Sequence, residues 1–304
     1  MATDTTAPAA TRTSESALAA GLDALETPVE AERRSPWREA WRAVWPVVAA
    51  LAVLVVAWQV AYSLEIKPPY ALPSPADTWA AFVVAVQDGS AARAVTLSVQ
   101  RAAVGFAMSV VAGVTIGVAL AASPLLRRGI GPIITGLQSL PSVAWVPAAI
   151  IWFQLSDAAI YTVILLGAVP SIVNGLLAGT DQVPPLFLRV GQVLGASGWS
   201  RIRFVLLPAA LPGFLGGLKQ GWAFAWRSLM AAELITTSPQ LGTGLGQLLD
   251  LGRETSDMAL VIAAISLIFL VGIAIELLVF APVERHVLHS RGLTGQVSGA
   301  RRTR

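Results

Sequence analysis

The chain has 304 residues, of which 55 % are hydrophobic and only 13 % are charged. Soluble domains carry about 25 % charged residues, so this composition indicates a membrane protein. The sequence has no cysteine, and its two histidines, His286 and His289, lie near the carboxyl terminus. Disulfides, thiolate metal sites and a histidine-centred catalytic site inside the membrane are therefore excluded.

The amino-terminal residues 1–36 are rich in Ala, Thr, Ser and Glu and lack the apolar core of a signal peptide. We predict that they form a disordered cytoplasmic extension. Trp37, Trp41 and Trp45 then follow at intervals of one helical turn. Trp side chains favour the headgroup level, which predicts an interfacial helix over residues 37–43; a partner-binding stripe is the alternative.

Six apolar segments are each long enough to cross a hydrocarbon core of about 30 Å as a helix. A proline-containing segment and a short helix near Asp77–Gln87 separate the first two. A basic tail, residues 286–304, follows the sixth. The predicted spans are Val44–Leu64, about Val95–Leu126, a segment within Gly129–Leu155, Ala158–Thr180, about Ala209–Ile235, and Met258 to about Val283.

Helix breakers and small residues interrupt these spans. Pro132, Pro141 and Pro147 are predicted to break the third span and Pro170 the fourth, which suggests that the third lines a cavity because freed carbonyls need protein or water. Small residues four apart allow close helix packing. The glycines in such series are Gly113 and Gly117 on the second span, and Gly213, Gly217 and Gly221 on the fifth.

The distribution of Arg and Lys predicts the orientation, since cytoplasmic loops are enriched in these residues. One side of the membrane holds only Lys67, Arg93 and Arg253, with Arg101 at its border. The other side holds the remaining Arg residues near the span ends, so we predict that it is cytoplasmic. Both termini and the loop between spans four and five then lie inside.

Charged residues within spans are costly and point to function. Arg227 and Glu233 lie about 120° apart on the fifth span and are poorly placed to pair with each other. Arg227 is expected either to pair with a residue such as Glu276 on the sixth span or to face the path and attract an anion. Glu233 is expected near the outer surface, where it would contact a delivered binding protein.

Several polar and aromatic residues are candidates to line a translocation path, although Trp residues also fit interfacial belts. The segment 241–249 contains three glycines but no preceding strand, so it is not a dinucleotide fingerprint. We predict that it forms a re-entrant turn and a short helix at the external mouth. The lining candidates are Gln138, Trp145, Trp152, Gln154, Trp222 and Arg227.

The loop 186–208 carries the most specific motif. Gly195 is followed ten positions later by Val205 and then by Leu207-Pro208. This spacing resembles the "EAA" cytoplasmic loop of ABC-importer permeases, and the segments 136–153 and 223–235 resemble the sulfonate/nitrate/taurine branch of that family. The positions of the Glu-Ala-Ala triplet are occupied here by Arg189, Val190 and Gly191.

The resemblance covers roughly residues 70–285 and implies the type I ABC-importer permease fold: an all-α polytopic membrane protein of six helices over residues 37–285, in a bacterial cell membrane. It implies a homodimer in membrane lipid, a cytoplasmic ABC ATPase dimer and an extracytoplasmic substrate-binding protein, with no nucleic acid. ATP and Mg would belong to the ATPase, so this chain would hold no cofactor or metal and would not be an enzyme. The implied ATPase-docking residues are Arg189, Val190, Gly191, Gly195, Ala196, Ser197, Trp199, Arg201, Arg203, Leu207 and Pro208.

The cargo implied by the resemblance is a small oxyanion such as an aliphatic sulfonate, taurine or nitrate, moved by alternating access. A neutral or cationic nutrient, such as a vitamin precursor, is the alternative within the same class. An ion-coupled secondary transporter is disfavoured because the acidic residues lie near span ends and no internal repeat is found. The sequence also contains no GxxxxGK[ST] motif for binding nucleotide phosphates.

Overall fold

The computed structural model describes residues 36–238 and 241–291, which contain helices and no strand. The chain divides into two compact units after Ala61. The first contains most of helix α1, Pro36–Ser63, which runs unbroken through the predicted interfacial helix into the first span. The predictions for residues 1–35, for the Trp37 side chain and for the tail beyond Arg291 lie outside the described residues.

Helices α2 (Pro75–Gln87) and α3 (Ser90–Ala122) follow. The helix predicted near Asp77–Gln87 is confirmed, and Ser74 caps it by accepting the Asp77 N–H at 3.0 Å. The second span is confirmed as α3, but it ends before Leu126. Ser123 has an extended backbone, with φ −130°, and Pro124 opens the next helix.

The third span is broken, as predicted. Helix α4 (Pro124–Ser139) and the helical segment Ser142–Phe153 meet at an angle of 99°. Leu140 and Pro141 are both extended there, with ψ of 133° and 125°. Leu140 is extended because a residue before proline avoids the α conformation. Two details were wrong. Pro132 lies within α4, and Pro147 lies in the first turn of α5 (Val146–Phe153), where a missing N–H breaks no helical bond.

Helix α6 (Asp157–Asp181) confirms the fourth span. The predicted break at Pro170 is wrong, because α6 continues through this residue without interruption. Pro170 is buried between packed helices, with α3 and α8 making the most extensive contacts with α6. Such packing maintains a helix that has lost one backbone hydrogen bond to a proline.

Helix α7 (Pro185–Val193) precedes α8, which spans Gly198–Ile235. The predicted start of the fifth span near Ala209 is therefore wrong, since the helix begins on the loop motif itself. A π-helical turn, Ile202–Leu206, widens the helix, and the Leu207 N–H bonds to the Ile202 carbonyl. Leu207-Pro208 consequently lies inside α8 and does not mark the start of the helix.

Helix α9 (Leu245–Glu254) confirms the short helix predicted after the fifth span, and α10 covers Met258–Ser290, past Val283, with a π-helical turn at Glu276–Phe280. Five described helices have the length and apolarity of a membrane span, and the bent pair makes up to six. This number agrees with the predicted six-span architecture.

The central helix α6 packs through glycines. A Cβ added to Gly175 would overlap the Cα of Gly217 on α8, and one added to Gly213 would lie 2.9 Å from the Cα of Gly179. A Cβ added to Gly113 on α3 would lie 2.7 Å from the Ile172 side chain. The predicted close packing at both glycine series is confirmed, and it orders α3, α6 and α8 around one core.

Candidate functional site

The loop motif folds as α7, a tight turn and the first turns of α8. Gly195 has φ +85°, a conformation that favours glycine. The Ala196 N–H bonds to the Gly191 carbonyl at 2.8 Å, which ends α7. The Ser200 hydroxyl accepts the Ser197 N–H at 3.0 Å at the start of α8. Backbone hydrogen bonds therefore fix the turn between the two helices.

Gly191 lies where α7 packs against the π-helical turn of α8. It is buried, and an added Cβ would lie 2.9 Å from the Val205 Cγ2. The three atoms nearest to this added Cβ all belong to Val205, the aliphatic residue of the motif. The small residue at Gly191 thus allows α7 to pack closely against α8.

This helix pair, which we call the coupling element and define as residues 185–208, exposes large apolar side chains. Val193 is 88 % exposed, Leu194 is 81 % and Trp199 is 62 %. Apolar surface concentrated in this way favours contact with a protein partner or with lipid. Other large apolar residues exposed on the element are Leu186, Phe187, Val190 and Phe204.

The cationic residues of the coupling element are exposed as well. Arg189, Arg201 and Arg203 have no ion pair within the described ranges, although Arg203 lies 5.5 Å from the centre of the Phe204 ring. The surface thus combines apolar side chains with unpaired positive charge. It suits a partner with apolar pockets and acidic groups.

A cavity of about 650 Å³ lies beside the coupling element, between α6, α7 and α8. Phe187, Phe204 and Pro208 line it, together with Arg291 at the end of α10. The Arg291 Nη1 donates to the Pro208 carbonyl at 2.6 Å. The end of α10 thus contacts the base of α8 next to the motif.

The structure corrects two predictions for intramembrane charges. Glu276 does not pair with Arg227, because the Lys219 Nζ lies 2.7 Å from its carboxylate and 3.1 Å from that of Glu284. Lys219 and Arg227 are eight positions apart, about 12 Å along α8, so Glu276 is level with Lys219. Glu233 does not face the surface. Its side chain is 0 % exposed and forms an ion pair with the buried Arg101.

Arg227 is exposed on the single chain. Its guanidinium lies 5.3 Å from the centre of the Phe224 ring, and no carboxylate in the described part of the chain forms an ion pair with it. Because an unpaired charge facing lipid is costly, this face of α8 is expected to meet protein or a water-filled path.

The other lining candidates are distributed around the bend and the core. The Gln138 amide donates to Ser171 at 3.2 Å and accepts from Asn174 at 2.5 Å, so it ties α4 to α6. Trp222 packs edge-on against Phe106 at 5.3 Å, in the packing between helices. Trp145 ends the 3-10 turn after the bend, Trp152 is 60 % exposed on α5, and Gln154 has φ +58° where α5 ends. Their role in lining a path stays a prediction.

Comparison with known proteins decides the family. The profile described as "Binding-protein-dependent transport system inner membrane component" matches residues 110–285, more than half of the chain. The chain belongs to this family.

The permease is 30 % identical over 251 residues to the taurine transport system permease protein TauC of Escherichia coli K12, covering 81 % of this chain and 90 % of that protein. It is 26 % identical over 262 residues to the nitrate import permease protein NrtB of Synechococcus elongatus, covering 83 % and 94 %. It is 26 % identical over 229 residues to the riboflavin transport system permease protein RibX of Chloroflexus aurantiacus, covering 75 % and 84 %.

The fold resembles a chain of the MetNI methionine ABC transporter, solved in inward-facing conformations. The TM-score is 0.52, and the match covers 64 % of this chain and 95 % of that chain at 20 % identity. The permease therefore has the fold of an ABC-importer permease and is a multi-pass membrane protein.

Sequence reasoning missed several residues that organise this permease. Gly175 and Gly179 are four apart on α6 and face the glycines of α8, and this spacing in the sequence could have identified them. Lys219 is a charge within a span and could have been noticed on that ground. Ser98 and Asp157 join the Arg101–Glu233 pair, and nothing in their local sequence signals this contact.

Proposed function

We propose that this permease forms the translocation path of an ATP-driven importer for a small oxyanion such as an aliphatic sulfonate, taurine or nitrate. Two copies would enclose the path and alternate between inward-facing and outward-facing states. A separate ABC ATPase dimer would drive the change, and an extracytoplasmic binding protein would deliver the cargo. The carrying observation is the exposed apolar and cationic surface of the coupling element.

The structure of the coupling element supports a role in transmitting motion between the ATPase and the membrane helices. A part that transmits motion must be rigid and must present a surface to its partner. Gly191 seats α7 on Val205, and the turn around Gly195 is fixed by backbone hydrogen bonds. The side chains of Val193 and Leu194 are highly exposed and form a large apolar area that is available for contact. A groove on an ATPase subunit with apolar pockets and acidic rims would match this surface.

The exposed face of α8 supports a two-copy path. A charge such as Arg227, exposed on a single chain and unpaired within the described residues, requires a protein or water environment at membrane depth. A second copy that meets this face would place two guanidinium groups near one axis. Such a pair would attract an anion and repel cations.

The cargoes of similar permeases favour a cargo with an anionic group, and one of them supports an alternative cargo. Taurine and nitrate permeases are among the similar proteins, and nitrate is an oxyanion while taurine carries a sulfonate group. The riboflavin permease favours a second candidate, in which the same architecture passes a neutral nutrient. In that case Arg227 would stabilise the structure and would not select the cargo.

Docking can be tested by co-purification of the permease with its cognate ABC ATPase. Leu194→Asp places a charge on the apolar tip and is expected to abolish co-purification of the ATPase, whereas Leu125→Asp, at a residue that is 80 % exposed on α4, is the matched control. Retention of the ATPase by the Leu194 variant at normal yield would remove the basis of the proposed docking surface.

Cargo can be tested with the complete importer in proteoliposomes, by measuring ATPase stimulation across a panel of sulfonates, nitrate and riboflavin in the presence of the binding protein. Arg227→Gln is expected to reduce stimulation by the anion about tenfold or more, and Arg93→Gln, another exposed cation, is the control for general surface charge. Unchanged anion uptake in a folded Arg227→Gln importer would eliminate the anion role of this residue. Stimulation by riboflavin alone would support the alternative.

A further inference from the structure

The predicted external side of the core holds a charge cluster that the proposed function does not use. Glu233 lies in the last turn of α8, two residues before Ile235, and is 0 % exposed. Arg101 on α3 is 3 % exposed, and its Nη1 lies 3.1 Å from the Glu233 Oε1. We propose that this pair is a positioning device that holds the hairpin segment, residues 241–254, at the external mouth of the permease, where it presents its outer face to the binding protein.

The Glu233 carboxylate bonds directly to the hairpin segment. Its Oε2 accepts the Gly246 N–H at 3.1 Å and the Ser98 hydroxyl at 2.7 Å, and Ser98 in turn accepts the Leu245 N–H at 2.8 Å. Gly246 and Leu245 lie in the first turn of α9, where N–H groups have no partner within the helix. A carboxylate is favoured at this position by the helix dipole.

Arg101 completes the contact from the α3 side. Its Nη2 donates to the Leu241 carbonyl at 2.7 Å, at the beginning of the hairpin segment, and its Nε donates to Asp157 at 2.9 Å, at the first residue of α6. Thus α3, α6 and α8 all bond to one cluster. The hairpin segment is attached at Leu241 and again at the start of α9.

The glycines of the segment are explained by this contact. A Cβ added to Gly244 would lie 2.6 Å from the Glu233 Cδ, and one added to Gly246 would lie 2.6 Å from the Glu233 Cβ. A side chain at either position would therefore push α9 away from the carboxylate. The glycine pattern of residues 242–246 allows a buried acid to reach the backbone of the hairpin.

The attachment determines which face of α9 is available. Leu245 and Leu248 are buried beneath the helix at 0 % and 4 % exposure. Leu251 is 45 % exposed and the Arg253 side chain is 66 % exposed. Loss of Arg101 leaves the Glu233 charge buried without a cation, whereas loss of Glu233 removes the acceptor of the Gly246 N–H and leaves Arg101 paired with Asp157 alone. In either case the segment should detach or rotate.

The natural absence of cysteine makes the detachment measurable by single-cysteine labelling. Leu248→Cys, buried under α9, would be reacted with a maleimide on purified permease in nanodiscs, with Leu251→Cys as the exposed control. Glu233→Gln is expected to accelerate labelling of the buried cysteine about tenfold or more without affecting the control, since a lost charged hydrogen bond is worth roughly that factor. The Arg101→Gln, Glu233→Gln double variant should label more slowly than the Arg101→Gln single variant, because Glu233 is then not left as a buried charge without a cation.

Where the Glu233→Gln protein fails to fold, Ser98→Ala removes two of the same hydrogen bonds at constant charge and should accelerate labelling about threefold. Equal labelling of the buried cysteine in the parent and in a folded Glu233→Gln or Ser98→Ala protein overturns the attachment. A double variant that labels as fast as the Arg101→Gln single variant also overturns the pairing.

A functional readout separates positioning from stability. In the reconstituted importer, Glu233→Gln is expected to raise the binding-protein concentration for half-maximal ATPase stimulation about tenfold, with basal ATPase within about twofold of the parent. Faster labelling with an unchanged half-maximal concentration would make the pair purely structural and overturn the proposal. The ATPase measurement rests on the proposed function, whereas the labelling measurement does not. If the permease had no ATPase partner, the proposed function would fail, but the labelling rates would still test the attachment of the segment.

Discussion

Gly175 on α6 and Gly217 on α8 face each other so closely that a Cβ on either would overlap the Cα of the other. This contact is at the centre of the most extensive helix packing in the chain. Lipid supplies no hydrophobic force between helices, so stability comes from close approach and complementary shape. The pair therefore brings the helix that carries Arg227 against the helix that forms the core.

Gly217→Ala is expected to separate α6 and α8 and to destabilise the permease by about 1–3 kcal/mol, as overpacking does in closely packed cores. Thermal stability measured by size-exclusion chromatography in detergent should show this loss. Gly216→Ala, at the adjacent residue with no atom near an added Cβ, is the control and should be nearly neutral. Equal stability of the two variants would contradict the close approach.

Gly191→Leu is expected to lift α7 from Val205 and to weaken binding of the ATPase about tenfold, because the coupling element would lose its rigid geometry. The measurement is the affinity of the purified ATPase for permease in nanodiscs. Gly129→Leu, where an added Cβ meets no atom within 4 Å, is the matched control. Gly191→Ala should have a smaller effect, since the Val205 side chain can change rotamer.

Lys219 holds two carboxylates of α10 in register with α8, so Lys219→Met should leave both without a cation. All three side chains are about a third or more exposed, which limits the expected effect. A double-mutant cycle with Glu276→Gln, scored by thermal stability, should give a coupling energy of about 0.5–1 kcal/mol. A coupling energy of zero would show that the ion pair contributes nothing, and Lys67→Met is the control for loss of a charge elsewhere.

Gly246→Ala is expected to destabilise the permease by about 1–3 kcal/mol, because the new Cβ would lie 2.9 Å from the Met230 carbonyl as well as against Glu233. Gly272→Ala is the control, since its added Cβ would make an ordinary contact of 3.7 Å with Trp226. Thermal stability of the two variants measured side by side distinguishes a specific contact from a general loss of glycine.

The spans could be predicted because each depends on local composition. Apolar runs of sufficient length gave α1, α3, α6, α8 and α10, and Pro141 indicated the broken third span. The ends of the spans were predicted less accurately. The helix that begins at Gly198 passes through Leu207-Pro208 by widening into a π-helical turn, and no simple rule for proline predicts that adjustment.

The charged residues show where prediction failed. The wrong partner was assigned to Glu276, and Glu233 was placed at the surface, because periodicity along one helix does not reveal which neighbour stands at the same level. Arg101 lies more than 130 residues from Glu233 in the sequence, and only the packing of α3 against α8 and α9 brings the two together. A long-range ion pair of this kind leaves no local pattern.

The sequence by itself determined the membrane class, the number of spans, the broken third helix and the loop motif, since these follow from hydropathy, proline chemistry and the spacing of a few residues. Only the tertiary structure decided that Glu233 is buried against Arg101, that Gly175 meets Gly217, and that Arg227 is left without an ion pair among the described residues. Those relationships depend on the relative height and rotation of different helices. These quantities are set by packing across the whole bundle.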